Sequence, residues 1–136
     1  MFFKSKNDIN VNNLTKVAAL LVHAAKIDGN YSPLEEKIIK ETIAKLGANT
    51  KDLKKIIYDA KNIEENSNQI LDFTKEIKNM DDQKKNQIVE ELWRIIYSNN
   101  EADMYETNLM RRLAGLLYID SKVMVEIKNK VKKEIF

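Results

Sequence analysis

Apolar residues recur along this chain at intervals of three and four, the spacing of one buried helix face, and cap or turn residues separate each run from the next. Leu14, Val17, Ala18, Leu21 and Ala25 share one face of a first helix, with His23 on the other side and Asn12 or Asn13 as the cap. That helix should stop near Asp28-Gly29, because glycine suits the left-handed position after a helix end. Ser32-Pro33-Leu34-Glu35 starts a second helix. Ser32 can accept a free backbone N–H, Pro33 fits the first helical position, and Glu35 can reach back to the Ser32 amide. Leu34, Ile38, Ile39, Ile43 and Leu46 form its inward face, and Gly47 ends it.

Thr50 is the expected cap of a third helix carrying Leu53, Ile56, Ile57 and Ala60, and the polar residues 62–68 read as a loop or frayed end. Ile70, Phe73 and Ile77 mark a fourth helix, with Leu71 beside that stripe. Asp81 caps a fifth, whose Ile88, Val89, Leu92, Trp93, Ile95 and Ile96 cover most of its circumference, as a central helix requires. Asp103 is the expected cap of a sixth, with Glu106 at the capping-box position and Leu109, Met110, Leu113, Ala114 and Leu117 inward. Asp120 or Ser121 caps a seventh, with Val123, Met124, Ile127, Val131 and Ile135 on one side. Lys122, Lys128, Lys130, Lys132 and Lys133 lie on the other, as a solvated face.

A shift of 71 positions aligns two helical hairpins: Leu21 meets Leu92, Ser32 meets Asp103, Glu35 meets Glu106, Ile38 meets Leu109 and Leu46 meets Leu117. The expectation is an all-α fold, one compact domain of about seven helices over residues 1–136, built from two pseudo-repeated hairpins, with residues 1–10 as a flexible arm.

Composition narrows the function. With 43% hydrophobic and 32% charged residues, three glycines and one proline, the chain is too apolar for disorder and too poor in turn residues for a sheet protein. A net charge of +2 does not argue for nucleic acid. No cysteine occurs, which excludes disulfides and thiolate chemistry. The first residues lack the apolar core of a secretory signal, so a cytoplasmic protein is the expectation. Phe2, Phe3 and the lysine face leave peripheral membrane contact open.

The acidic turns are the main chemical candidates. If the two turns lie together, Asp28, Glu35, Glu101, Asp103 and Glu106 could surround Ca²⁺ or Mg²⁺, hard cations that take oxygen ligands. The competing explanation is that Ser32, Glu35, Asp103 and Glu106 simply cap helices. An EF-hand fails, because placing Gly29 at its sixth position puts Ala24 and Lys26 where oxygen ligands belong. No phosphate loop, zinc motif or serine elbow is present, so no enzyme is expected. Tyr31, Tyr97 and Tyr105 beside the turns would suit contact with an unidentified protein partner.

The segment Ala24-Ala25-Lys26-Ile27-Asp28-Gly29-Asn30-Tyr31-Ser32-Pro33-Leu34-Glu35-Glu36 resembles the TerB-like family, which includes tellurite-resistance TerB proteins and the N-terminal domain of DjlA-type co-chaperones. Trp93 to Tyr97 followed by Asp103-Met104-Tyr105-Glu106 resembles the same pattern recurring, with Asn99-Asn100 where the family tends to keep Asp-Gly. The resemblance implies an all-helical accessory or scaffold module rather than an enzyme, associated with metal or oxyanion stress, whose acids are suspected of holding a divalent cation. A dedicated metal-sequestering protein and a membrane-peripheral scaffold are the alternatives.

Overall fold

The computed structural model describes residues 9–27, 31–67, 70–98 and 104–135, the side chains of 104–106 excepted. Seven α-helices follow in order: α1 (Val11–Lys26), α2 (Pro33–Lys45), α3 (Leu53–Asn66), α4 (Leu71–Ile77), α5 (Asp82–Tyr97), α6 (Met104–Leu116) and α7 (Ser121–Ile135). The described residues contain no strand. None of their helices is long and apolar enough to cross a membrane.

The caps explain most boundaries. Ser32 and Glu35 form the full capping box at α2, with Ser32 Oγ accepting the Glu35 N–H at 3.1 Å and Glu35 Oε1 accepting the Ser32 N–H at 2.8 Å. Asp81 accepts the Lys84 N–H at 2.8 Å, and Asp120 accepts the Lys122 N–H at 2.8 Å. Two expected caps move. Asn10, rather than Asn12 or Asn13, caps α1 and accepts the Asn13 N–H at 2.8 Å. Thr50 opens a short 3-10 turn, Thr50–Asp52, that leads into α3. The glycine stop at Asp28-Gly29, the Asp103 cap and the Phe2-Phe3 arm lie outside the described residues.

Helix α1 is enclosed more fully than a one-faced helix would be. Leu14, Val17, Leu20, Leu21 and Val22 are buried together with four alanines, Ala18, Ala19, Ala24 and Ala25. It touches α2, α3, α4 and α5, and the small alanine faces let those neighbours approach. Helix α5 was the expected centre; it is indeed buried, but it shares that place with α1. Ile39, Ile43, Ile56, Phe73, Ile77, Leu92, Leu113 and Val131 complete the same core. Leu34 does not join it. At the second position of α2 it is 53% exposed, whereas Ile39 and Ile43 are fully buried.

The duplication extends to the helix ends. Displacing α1 by 71 positions gives Asp82–Tyr97, which is α5, and displacing α2 gives Met104–Leu116, which is α6. The ion pairs follow. His23, on α1, has Nδ1 3.1 Å from Glu64 Oε2 of α3, so it is partnered rather than a bare solvent-facing residue. Its counterpart Arg94, on α5, donates to Glu134 of α7 at 2.7 Å. Arg94 also reaches the buried carboxylate of Glu91, and Lys130 pairs with Glu90 at 2.5 Å. The pairs 90–130 and 94–134 rise together, so α5 and α7 run in the same direction.

The Glu64 pairing explains why residues expected to fray stay helical to Asn66. Lys26 Nζ sits 2.6 Å from Glu64 Oε1, holding the end of α3 against α1. Burial works to raise the Glu64 carboxyl, but hydrogen bonds from Lys26 and His23 outweigh it and leave its pKa below the ordinary value. A depressed folded-state pKa contributes stability above the unfolded value of about 4.3, and that contribution is lost as pH falls through the lower folded value. Glu64→Gln should therefore be less stable than the parent chain at about pH 6, with the gap closing below about pH 4. Urea titrations at several pH values measure it; a gap that widens in acid would contradict the assignment.

Candidate functional site

Of the five carboxylates expected to hold a cation, Asp28, Glu101 and Asp103 lie outside the described residues, and Glu106 is described only as backbone of α6. Glu35 is 2% exposed and serves the capping box. Among the described residues, no group of three or more acids and histidines is arranged to hold a metal ion.

The acid beside Glu35 is already matched by a cation. Lys61 Nζ lies 2.6 Å from Glu36 Oε1, and this hydrogen bond holds the Glu36 carboxyl below its ordinary pKa. Tyr31 is half-buried. Its hydroxyl donates to Glu36 at 3.3 Å, and Lys61 Nζ lies 5.0 Å from its ring centre. Burial, and then the neighbouring Glu36 charge, push the Tyr31 phenol up, so it stays neutral. Tyr97 is buried and stacks on Trp93 at 5.7 Å. Tyr31 and Tyr97 are therefore tied into the fold, and Tyr105 lies among the side chains not described.

A groove between α4 and α6 is differently made. It encloses about 340 Å³ and is lined by Leu71, Thr74, Lys75, Lys78, Gly115, Leu116 and Tyr118. Leu71 is 47% exposed and Tyr118 73%. The lining has two lysines and no acid. Lys78 Nζ lies 5.9 Å from the Tyr118 ring centre, within cation–π range. Beneath, the buried Lys85 of α5 donates to the Leu117 carbonyl at 3.0 Å and approaches the Lys78 carbonyl at 3.4 Å. One ammonium thus fixes both helix ends that frame the groove.

The backbone at Tyr118 is strained. Helix α6 closes with Tyr118 N–H on the Gly115 carbonyl and Ile119 N–H on the Ala114 carbonyl, at 3.3 and 2.9 Å. Helix α2 closes with the same pair of bonds, Gly47 N–H to the Ala44 carbonyl and Ala48 N–H to the Ile43 carbonyl, both at 3.1 Å. The two motifs are related by the displacement of 71 that relates the hairpins. In the first copy Gly47 takes the positive φ of 120° and Ala44 stands in the helix. In the second copy Tyr118 takes a φ of 56° and glycine stands in the helix at Gly115.

Both choices oppose stability. A non-glycine residue in the left-handed region costs roughly 1–2 kcal/mol. Glycine within a helix costs about 0.5–1 kcal/mol against alanine. Gly115 is not required by packing, since a Cβ built there meets nothing within 4 Å. Two positions of one groove thus carry the residue that local backbone preference disfavours. Such local conflicts belong to functional surfaces. Sequence periodicity passes over this site because neither residue signals a turn. The alignment of Leu46 with Leu117 does place Gly47 against Tyr118, and that mismatch is the signal.

Comparison with known proteins gives one family. The model of tellurite resistance protein TerB matches residues 14–129. No curated protein and no solved structure matches the chain.

If the groove residues are kept against stability, changing them toward the first copy should not weaken the fold. Gly115→Ala is expected to raise unfolding stability by about 0.5–1 kcal/mol. Tyr118→Gly is expected to be neutral or better, relief of strain offsetting the freer unfolded chain, within about 1 kcal/mol. Urea denaturation decides. A clear loss of stability in Gly115→Ala would mean the glycine serves the fold.

Proposed function

The chain belongs to the TerB family of tellurite resistance proteins, and on that premise we propose that it is a non-enzymatic accessory or scaffold protein acting through a partner protein bound in the α4–α6 groove. The observation that carries this reading is the exchange of glycine and side chain between the two hairpins: Ala44 and Gly47 in the first, Gly115 and Tyr118 in the second. Gly115 leaves open space on α6 where a partner side chain or backbone can approach. Tyr118 offers a large aromatic surface beside Leu71. Lys75 and Lys78, with no acid in the lining, favour a negatively charged partner.

The occupant that fits is an acidic amphipathic segment of another protein, with an aliphatic or aromatic residue over Gly115 and carboxylates toward the two lysines. The family's description, tellurite resistance protein, supports linking such a role to tellurite. A Ca²⁺ or Mg²⁺ ion at the acidic turns, among Asp28, Glu35, Glu101, Asp103 and Glu106, is a separate reading. It predicts calorimetric heat at millimolar metal, abolished by Asp28→Asn with Asp103→Asn, and absence of heat discards it. A membrane-peripheral scaffold is less favoured, because Lys130 is engaged by Glu90 at 2.5 Å and Lys128 lies 5.4 Å from the Trp93 ring centre.

Selection from a displayed library of random helical peptides tests the partner reading without knowing the partner. Enriched peptides should combine Asp or Glu with a large apolar residue. They should bind Lys75→Glu/Lys78→Glu and Gly115→Trp chains at least about tenfold more weakly than the parent. The melting temperature of the lysine variant should be unchanged, since both ammonium groups face solvent or an exposed ring. Peptides that bind all three chains equally would sink the groove as the docking site.

A further inference from the structure

On another side of α6, a second cleft opens between α5, α6 and α7. It holds about 200 Å³ and is walled by Trp93, Met110, Ala114 and Met124, with Arg111 and Lys128 among its other lining residues. Trp93, Met110 and Met124 are buried members of the core, so the walls are fixed by packing. Methionine side chains are polarisable, which favours contact with an apolar ligand.

Two observations point to one kind of occupant. First, the wall is apolar and contains no acid. Second, the two cations are uncompensated by carboxylates. Lys128 Nζ has the Trp93 ring at 5.4 Å, and among the described residues no ion pair engages Arg111. Nearby, Arg94 of α5 and Lys130 of α7 are each matched by glutamates.

We propose that this cleft is a binding site for a small amphipathic carboxylate, a free medium-chain fatty acid or a compound of that form. Its hydrocarbon body lies against Met110, Ala114, Met124 and Trp93, and its carboxylate is held by Arg111 and Lys128. Guanidinium and ammonium donors give charge-assisted hydrogen bonds to a carboxylate, and the apolar wall lowers the competition from water. The ligand class needs both halves. A purely apolar molecule leaves the cations unused, and a small inorganic anion leaves the apolar wall wet. This site is independent of the α4–α6 groove, which uses different side chains of α6 and carries lysines of α4.

Trp93 is the single tryptophan of the chain, so its fluorescence reports on the cleft directly. Octanoate, octanol and butanoate, titrated separately into the full chain, are the probes. Octanoate should give a saturable change in Trp93 emission. Octanol and butanoate should each bind at least about tenfold more weakly, one lacking the charge and the other the hydrocarbon. Arg111→Glu with Lys128→Glu should remove the octanoate advantage while leaving octanol binding unchanged. Ala114→Phe, which fills the cleft, should weaken both. The paired charge reversal lies at solvent-accessible positions, and its helical circular dichroism and melting temperature establish that the variant is folded. Absence of a saturable octanoate response would overturn the proposal. So would equal affinity for octanoate and octanol, or octanoate binding that survives the charge reversal.

Discussion

The burial of α1 on nearly every side sets the terms for the rest of the molecule. A helix enclosed in this way needs neighbours all around, and its alanines decide how near they come. Ala18, Ala19, Ala24 and Ala25 are all buried, and α2, α3, α4 and α5 surround them. Helix α5 occupies the matching place in the second hairpin, with bulkier Leu92, Trp93, Ile95 and Ile96. The two central helices differ in girth, so the duplicated hairpins cannot end in identical surroundings. Trp93 in particular contributes to an open cleft against α6 and α7.

The same divergence runs through the helix ends. A chain reversal after α2 or α6 needs a residue at positive φ whichever copy it lies in, because the two closing hydrogen bonds require it. The first copy meets that demand with Gly47, the second with Tyr118. Lys85 secures the second against the strain by binding the Leu117 carbonyl from within. A buried lysine is an expensive way to hold a helix end, and it does so at the residue next to the exposed Tyr118. The first copy thus has the less strained residue at both positions, Ala44 and Gly47.

Much of the fold was legible in the sequence because its signals are local. Ser32, Asp81 and Asp120 cap the helices they were expected to cap, and the apolar faces of α1, α5 and α6 lie inward. What was missed depends on distant partners. His23 looks solvent-facing on its own helix, yet Glu64 reaches it from 41 positions away. The polar residues before Asn66 carry no helical pattern of their own, and Lys26 holds them in place. Leu34 fits the periodicity but is left exposed, while Glu35 beside it is the residue buried in that turn. The candidate site was the least legible part. Of the acids in the turns, Glu35 closes the capping box, while Asp28, Glu101, Asp103 and the Glu106 side chain lie outside the described residues. The α4–α6 groove shows itself only when the two copies are set against each other and the backbone angle of Tyr118 is known.

The most direct test of the account is to map where an acidic amphipathic peptide selected on the full chain touches it, by amide chemical shifts in ¹⁵N-labelled protein. Binding in the groove predicts the largest changes at Thr74, Lys75, Gly115, Leu116 and Tyr118, with the α2 start at Ser32 to Glu36 undisturbed. Changes confined to the inter-helix turns around Tyr31 and Glu36, with Gly115 and Tyr118 unmoved, would contradict it.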